Sequence, residues 1–364
     1  MGVSRLSGGA QMRKEINKQL VGWIRERART SFGGDISLVA IYGSHINGTD
    51  QEWSDVDCYF IPKTDRGRAF GLDFILAGVG YDIFPLSWER LQGIAHLQEP
   101  LVPLVGDAVL LYSDSQEDTD RFQALQRELA ACLADKAYCR RMCEERFYRA
   151  AAQRQMGDSG DFSTQRKCAG QLLLDGAEAL AFHNGTYFHA GLKRHGQELE
   201  AMEKKPAGFL RRYRQVMEAE SPGALQKASE DFLACLGEFF GLPWKAVPGE
   251  RPLPSGEKKE NLAELSAWYE ECSSLFCKLR VCREREQREL AFLSGICLQR
   301  ELDELAASYA VPAYALLEAY HWADLTPLVQ TADRIERDLV DRIVRSGGRI
   351  KRFASFPEFE RAQL

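Results

Sequence analysis

Two periodicities divide the chain. Up to about residue 112, short apolar runs alternate with glycine-rich and polar turns; beyond residue 120 the apolar positions recur every three or four residues. Ile16, Leu20, Val21 and Ile24 predict an amphipathic helix over Gln11 to Thr30, with the small, polar residues before it read as a frayed end. Ser37 to Tyr42 reads as an apolar strand, and a second strand carries Ser54-Asp55-Val56-Asp57 on to Phe60. Ala77-Gly78-Val79-Gly80 turns the chain into a third strand, Tyr81 to Leu86, followed by a short helix over Trp88 to Leu97 and a strand ending at Tyr112. Helices are then predicted over Phe122 to Met156, Thr164 to His183 (stopped by Asn184-Gly185), Phe209 to Ala219 and Pro222 to Phe240. Four prolines and three glycines between Gly241 and Asn261 mark a linker. A long helix or helical hairpin over Leu262 to Leu305, helices over Pro312 to Ala323 and Thr326 to Arg345, and a basic-then-mixed tail complete the pattern. The expected class is α+β: a small mixed β-sheet flanked by helices, followed by a mainly α-helical bundle region. The division it suggests is 11–117, 118–242, a linker at 243–261, and a helical C-terminal region at 262–364.

Composition changes this picture little. A chain of 364 residues with 45% hydrophobic and 27% charged residues is that of an ordinary globular protein of more than one domain. The net charge of −6 argues against a protein whose main business is gripping a nucleic-acid backbone. No apolar run approaches the ~18–20 residues that a membrane span needs, and no signal-peptide pattern opens the chain, so a cytoplasmic location with reduced thiols is expected. The ten cysteines include no Cys-x-x-Cys pair and the six histidines no helical metal spacing, so the thiols read as small buried apolar residues and no zinc is expected.

The chemistry concentrates between Ile41 and Phe60. Asp55 and Asp57, two apart on a strand, project to one side about 6–7 Å apart along the chain, while Val56, Cys58 and Phe60 suit a core. Two carboxylates held side by side repel each other unless a divalent cation lies between them. Gly43 lets backbone approach a ligand closely, and Ser44 offers a hydroxyl and an N–H to a phosphate. Asp82, embedded among Tyr81, Ile83 and Phe84, needs a metal or a hydroxyl partner to offset its burial. Asp73, before the glycine turn, is the weaker competitor.

Gly43-Ser44-x-x-x-Gly48, followed by Ser54-Asp55-x-Asp57 and an apolar residue, resembles the signature of the nucleotidyltransferase superfamily, whose members include DNA polymerase β and the aminoglycoside and lincosamide nucleotidyltransferases. The resemblance implies a nucleotidyltransferase catalytic domain at 11–117. It also implies Mg²⁺, one or two ions, on Asp55, Asp57 and Asp82, with Asp82 either completing the metal shell or acting as general base. ATP or another NTP would be bound by Gly43, Ser44, Gly48, Ser54 and Lys193. Lys193 and Arg194 follow an Asn-Gly-x-Tyr-Phe phrase (Asn184 to Phe188) similar to one in the aminoglycoside branch. Glu144 and Glu145 could present an acid to the acceptor, although exposed helix positions explain them as well. The implied activity is transfer of a nucleotidyl group, AMP in the first instance, to a hydroxyl of a small molecule with release of pyrophosphate, as in antibiotic-resistance enzymes. A protein-modifying nucleotidyltransferase and a catalytically idle nucleotide-binding scaffold are the alternatives, and a homodimer is compatible with either.

Overall fold

The computed structural model describes residues 3–46, 48, 53–157, 160–244 and 258–363, with side chains from residue 11 onward. Helix α1 (Val3–Ser31) begins well before Gln11, so a helix stands where a frayed end is expected. Next come strands β1 (Ile36–Tyr42), β2 (Asp57–Pro62), β3 (Leu72–Leu76) and β4 (Val79–Pro85). Helices α2 (Trp88–Ala95) and α3 (Pro103–Gly106) then lead to β5 (Val109–Ser113). The sheet order is β5-β1-β2-β4-β3-β6, where β6 (Arg352–Phe353) comes from the far end of the chain. β1 is antiparallel to β2 and β5, β2 is parallel to β4, and β3 is antiparallel to β4 and parallel to β6, which makes the sheet mixed as expected.

β3 is a strand that the sequence pattern leaves undefined. Its hairpin with β4 turns on Ala77 and Gly78, both with positive φ (49° and 80°), the two-residue geometry that matches strand twist. Counting outward from that turn puts Asp73 directly opposite Asp82.

One face of the sheet, carrying Val39, Ile41, Cys58, Phe60, Phe74 and Ile83, packs on α1 and on α13 (Phe356–Gln363). Phe359 of α13 stacks on Phe74 with ring centroids 4.4 Å apart and meets Trp23 of α1 edge-on at 4.9 Å. The other face shares a continuous core with the helical region. Here α4 (Gln116–Ala134) and α5 (Lys136–Met156) replace the single helix predicted from Phe122 to Met156. The break is local chemistry: the Asp135 side chain accepts from the N–H groups of Ala137 and Tyr138 and caps a new helix. α6 (Phe162–His183), α7 (His195–Ala201), α8 (Phe209–Met217) and α9 (Pro222–Phe240) complete this bundle. Residues 245–257 of the expected linker lie outside the described residues.

The C-terminal region opens as a hairpin of α10 (Leu265–Glu284) and α11 (Arg288–Ser308). A helix predicted over Pro312 to Ala323 reduces to one 3-10 turn at Leu316–Ala319. The buried Gln299 side chain takes the place of a helical ladder there, accepting from Leu316 N–H (2.7 Å) and donating to the Tyr314 carbonyl (2.7 Å). α12 (Thr326–Arg345) packs on α10, and α10 lies across β3 and β4. A Cβ on Gly80 of β4 would stand 2.4 Å from the Glu270 carbonyl and 2.6 Å from Ser273 Oγ, so the glycine sets how closely α10 sits on the sheet.

His195 at the start of α7 is 4% exposed, stacks on Phe188 (4.1 Å) and shares a hydrogen bond with the Tyr213 hydroxyl (3.1 Å). Burial lowers its pKa to about 4. The folded imidazole therefore binds a proton less readily than the unfolded one, and its contribution is complete above pH ~6.5 and is lost as pH falls from there toward about 4. We expect His195→Gln to show a flatter decline in urea midpoint between pH 7.5 and 4.5 than the parent, the difference corresponding to about 1–3 kcal/mol.

Candidate functional site

The Gly-Ser corner follows β1 directly. Gly43 has φ +77°, and a Cβ built on it would lie 2.0 Å from Asp57 Oδ2. Both facts require glycine: the backbone is left-handed, and the Asp57 carboxylate occupies the space a side chain would fill. Tyr42 pairs with Asp57 across the antiparallel ladder, which fixes corner and acid side by side. Gly43→Ala is expected to displace that carboxylate, lowering stability by about 1–3 kcal/mol together with activity. Gly48→Ala, at φ +64° in open space, should cost about 1 kcal/mol and spare the site; thermal denaturation and initial rates of both variants check this.

Asp55 precedes β2 and is held there through its neighbours. Ser54 is fully buried; its carbonyl accepts from Asn17 Nδ2 of α1 (3.1 Å) and its hydroxyl from Lys193 Nζ (3.2 Å). Val56 inserts into the core on the α1 side, which leaves Asp55 and Asp57 on the opposite face. Asp57 has its pKa raised to about 7, first by burial and then by the Asp55 charge, while Lys193 and Lys278 pull it back down.

Asp82 sits one strand over. Cys58 is paired with Ile83, so the preceding residues, Asp57 and Asp82, stand on neighbouring parallel strands and share the face away from α1. Its pKa is raised to about 9, first by burial, then by a hydrogen bond and repulsion with Asp73, with Glu271 and Asp55 adding to it. Asp82 therefore takes up a proton more readily than an ordinary carboxyl, with Asp73 directly opposite it. Half-buried Tyr42 has its pKa raised first by burial and then by all three acids, Asp57 most, followed by Asp55 and Asp82.

The fold therefore brings Gly43, Asp55, Asp57, Asp82 and Lys193 to one end of the sheet, with Ser54 beneath them. Gly48 is exposed beyond the corner. Glu144 and Glu145 belong elsewhere: they pair with Arg140 (2.6 Å) and Arg146 (3.1 Å) on α5. Asp73, the weaker competitor of Asp82 in the sequence, stands opposite it, and the structure adds Glu271 and Lys278 of α10, which no motif marks. A cavity beside the acids is lined by Trp53, Asp55, Lys193, Cys277, Lys278 and Gln287, among others.

Among the described residues, no three His, Cys, Asp or Glu side chains stand close enough together to hold a metal ion. The donor set is a pair, Asp55 and Asp57, and it suits Mg²⁺, which commonly takes one or two carboxylates and leaves its other positions to water and phosphate oxygens. The proton affinity that Asp57 gains from burial and from Asp55 is the excess negative charge such a cation offsets. All ten cysteines are free thiols. No described helix is long and apolar enough to cross a membrane.

Residues 120–241 match the family model of the KNTase C-terminal domain, that of kanamycin nucleotidyltransferase. No curated protein matches the chain. The match covers α4 to α9 and leaves out the Gly-Ser corner and the acids. The match to the helical region supports the resemblance to the nucleotidyltransferase superfamily, in its aminoglycoside pattern, that the Gly-Ser and Asp-x-Asp motifs before residue 60 suggest.

Proposed function

We propose that the chain transfers a nucleotidyl group, AMP in the first instance, from an NTP to a hydroxyl of a small acceptor, releasing pyrophosphate in a Mg²⁺-dependent reaction. One observation carries this reading: Asp57 lies against the glycine of the Gly-Ser corner, beside Asp55 and within reach of two lysines. Neither a structural turn nor an ordinary core accounts for a half-buried acid pair maintained in that setting.

Asp55 and Asp57 would hold the cation. Bound Mg²⁺ would supply positive charge for the leaving pyrophosphate and acidify the acceptor hydroxyl. The Ser44 hydroxyl and the N–H groups after Gly43 would receive phosphate oxygens, as backbone turns of this kind do. Lys193, whose Nζ donates to Ser54 Oγ, would neutralise the triphosphate and keep Asp55 in position. The acceptor oxygen attacks the α-phosphorus, the bond from that phosphorus to the bridging oxygen breaks, and the hydroxyl proton passes to a carboxylate or to water. Asp82, whose raised pKa makes it a stronger proton acceptor than an ordinary carboxylate, can take that proton when it is itself ionised.

The test is pyrophosphate release from each of the four NTPs with Mg²⁺ and a panel of aminoglycoside and lincosamide acceptors. Release that depends on a small acceptor supports the reading. Release only with a protein acceptor moves the assignment to protein modification, and NTP binding without release moves it to a nucleotide-binding scaffold.

A further inference from the structure

Most of the wall of the cavity beside Asp55 comes from beyond residue 241. Helix α10 lies on β3 and β4, its approach set by Gly80. Glu271, Ser274 and Lys278 recur at three- and four-residue steps and so share one helical face. Glu271 acts on Asp82, and Ser274 and Lys278 line the cavity that also holds Asp55 and Lys193. Lys278 is half-buried and makes no hydrogen bond or ion pair among the described residues. With Lys193, it is one of the two cations that draw on Asp57.

An ammonium group that lines a cavity and makes no direct hydrogen bond or ion pair is partly desolvated with only longer-range attraction to offset it. The cavity carries Asp55 on its wall and lies beside Asp57, so a polyanionic substrate would enter it only if cations faced that polyanion. Lys193 supplies one from the matched helical domain. Lys278 supplies the other from α10.

We propose that Lys278 is a second triphosphate-binding residue, forming with Lys193 a two-ammonium clamp on the pyrophosphate portion of the NTP, so that the C-terminal region completes the nucleotide site. The proposal rests on the nucleotidyltransferase reading above, and the test separates the two.

Equilibrium binding is measured on the full chain with Mg²⁺ and three probes: the ATP analogue whose α–β bridging oxygen is replaced by methylene, inorganic pyrophosphate, and AMP. The proteins are the parent, Lys278→Met, Lys278→Arg, and Arg283→Met as an exposed control on the same helix. Lys278→Met is expected to weaken binding of the triphosphate analogue and of pyrophosphate about tenfold or more, with AMP binding unchanged within about twofold. Lys278→Arg should recover most of that loss, and Arg283→Met should show none. Unchanged triphosphate and pyrophosphate binding in a Lys278→Met protein with parent-like circular dichroism overturns the proposal, and so does an equal loss for AMP. Should Lys278→Met fail to fold, Lys278→Arg and Lys278→Gln decide the point by the same ratio of triphosphate to AMP affinity. Failure of the parent to bind any of the three probes overturns the nucleotidyltransferase reading itself, and the clamp with it.

Discussion

Asp57→Asn is expected to lower the rate of pyrophosphate release by about 10³-fold or more while leaving the melting temperature unchanged or higher. The two effects separate because the carboxylate serves the proposed reaction and burdens the fold. Asparagine keeps nearly the same shape beneath Gly43 and removes a half-buried charge that repels Asp55. It cannot replace a carboxylate oxygen on a hard dication, so transition-state charge goes unbalanced. Initial rates at saturating NTP, beside thermal denaturation of the same preparations, check both halves. Retention of more than a tenth of parental activity would remove Asp57 from the proposed chemistry.

Arg146→Met should be the most destabilising single change in the helical region, by about 3–5 kcal/mol. The guanidinium is fully buried. Its Nε lies 2.9 Å from Glu178 Oε2, and an N–H donates to the Leu97 carbonyl (2.9 Å), which ties α5 to α6 and to the end of α2. Burial raises Glu178 to about 7 even with Arg146 pulling the other way. Methionine fills most of the volume but leaves Glu178 and the Leu97 carbonyl without their partner, and uncompensated buried polar groups are what make such changes severe. Urea unfolding of Arg146→Met and of the double variant with Glu178→Leu decides it. The double variant should regain a large part of the loss, because it removes the stranded acid as well.

The first ninety residues were legible because their local patterns coincide with their tertiary roles. Asp55 to Cys58 alternates polar and apolar residues as a strand with one buried face must, and Gly43 stands where the left-handed backbone and the Asp57 carboxylate leave no alternative. Asp82 was legible for the reverse reason: an acid among aromatics conflicts with its surroundings, and such conflicts mark sites. Its partner Asp73 was readable only after the Ala77-Gly78 turn had fixed the register. The break at Asp135 was missed because Leu129, Leu133 and Cys139 sustain an apolar rhythm through it, and capping chemistry overrides periodicity. The position of α10 was not readable at all. Nothing between Leu265 and Glu284 announces that the helix docks on β3 and β4, because the contact is made by surfaces nearly two hundred residues apart and depends on the missing side chain of Gly80.

β6 gives the sheet its outer boundary: Ile75 is aligned with Arg352 and Leu76 with Phe353, and the Ile75 and Ala77 N–H groups donate to the carbonyls of Lys351 and Phe353. During synthesis, β3 and β4 leave the ribosome long before that partner exists. The hydrogen-bonding rim of β3 stays bare in the meantime, open to pairing with the rim of another nascent copy. Pairings between such distant segments also close slowly. Chaperone demand and recombinant yield should therefore respond to changes at Arg352 and Phe353 more sharply than the stability of the finished protein does.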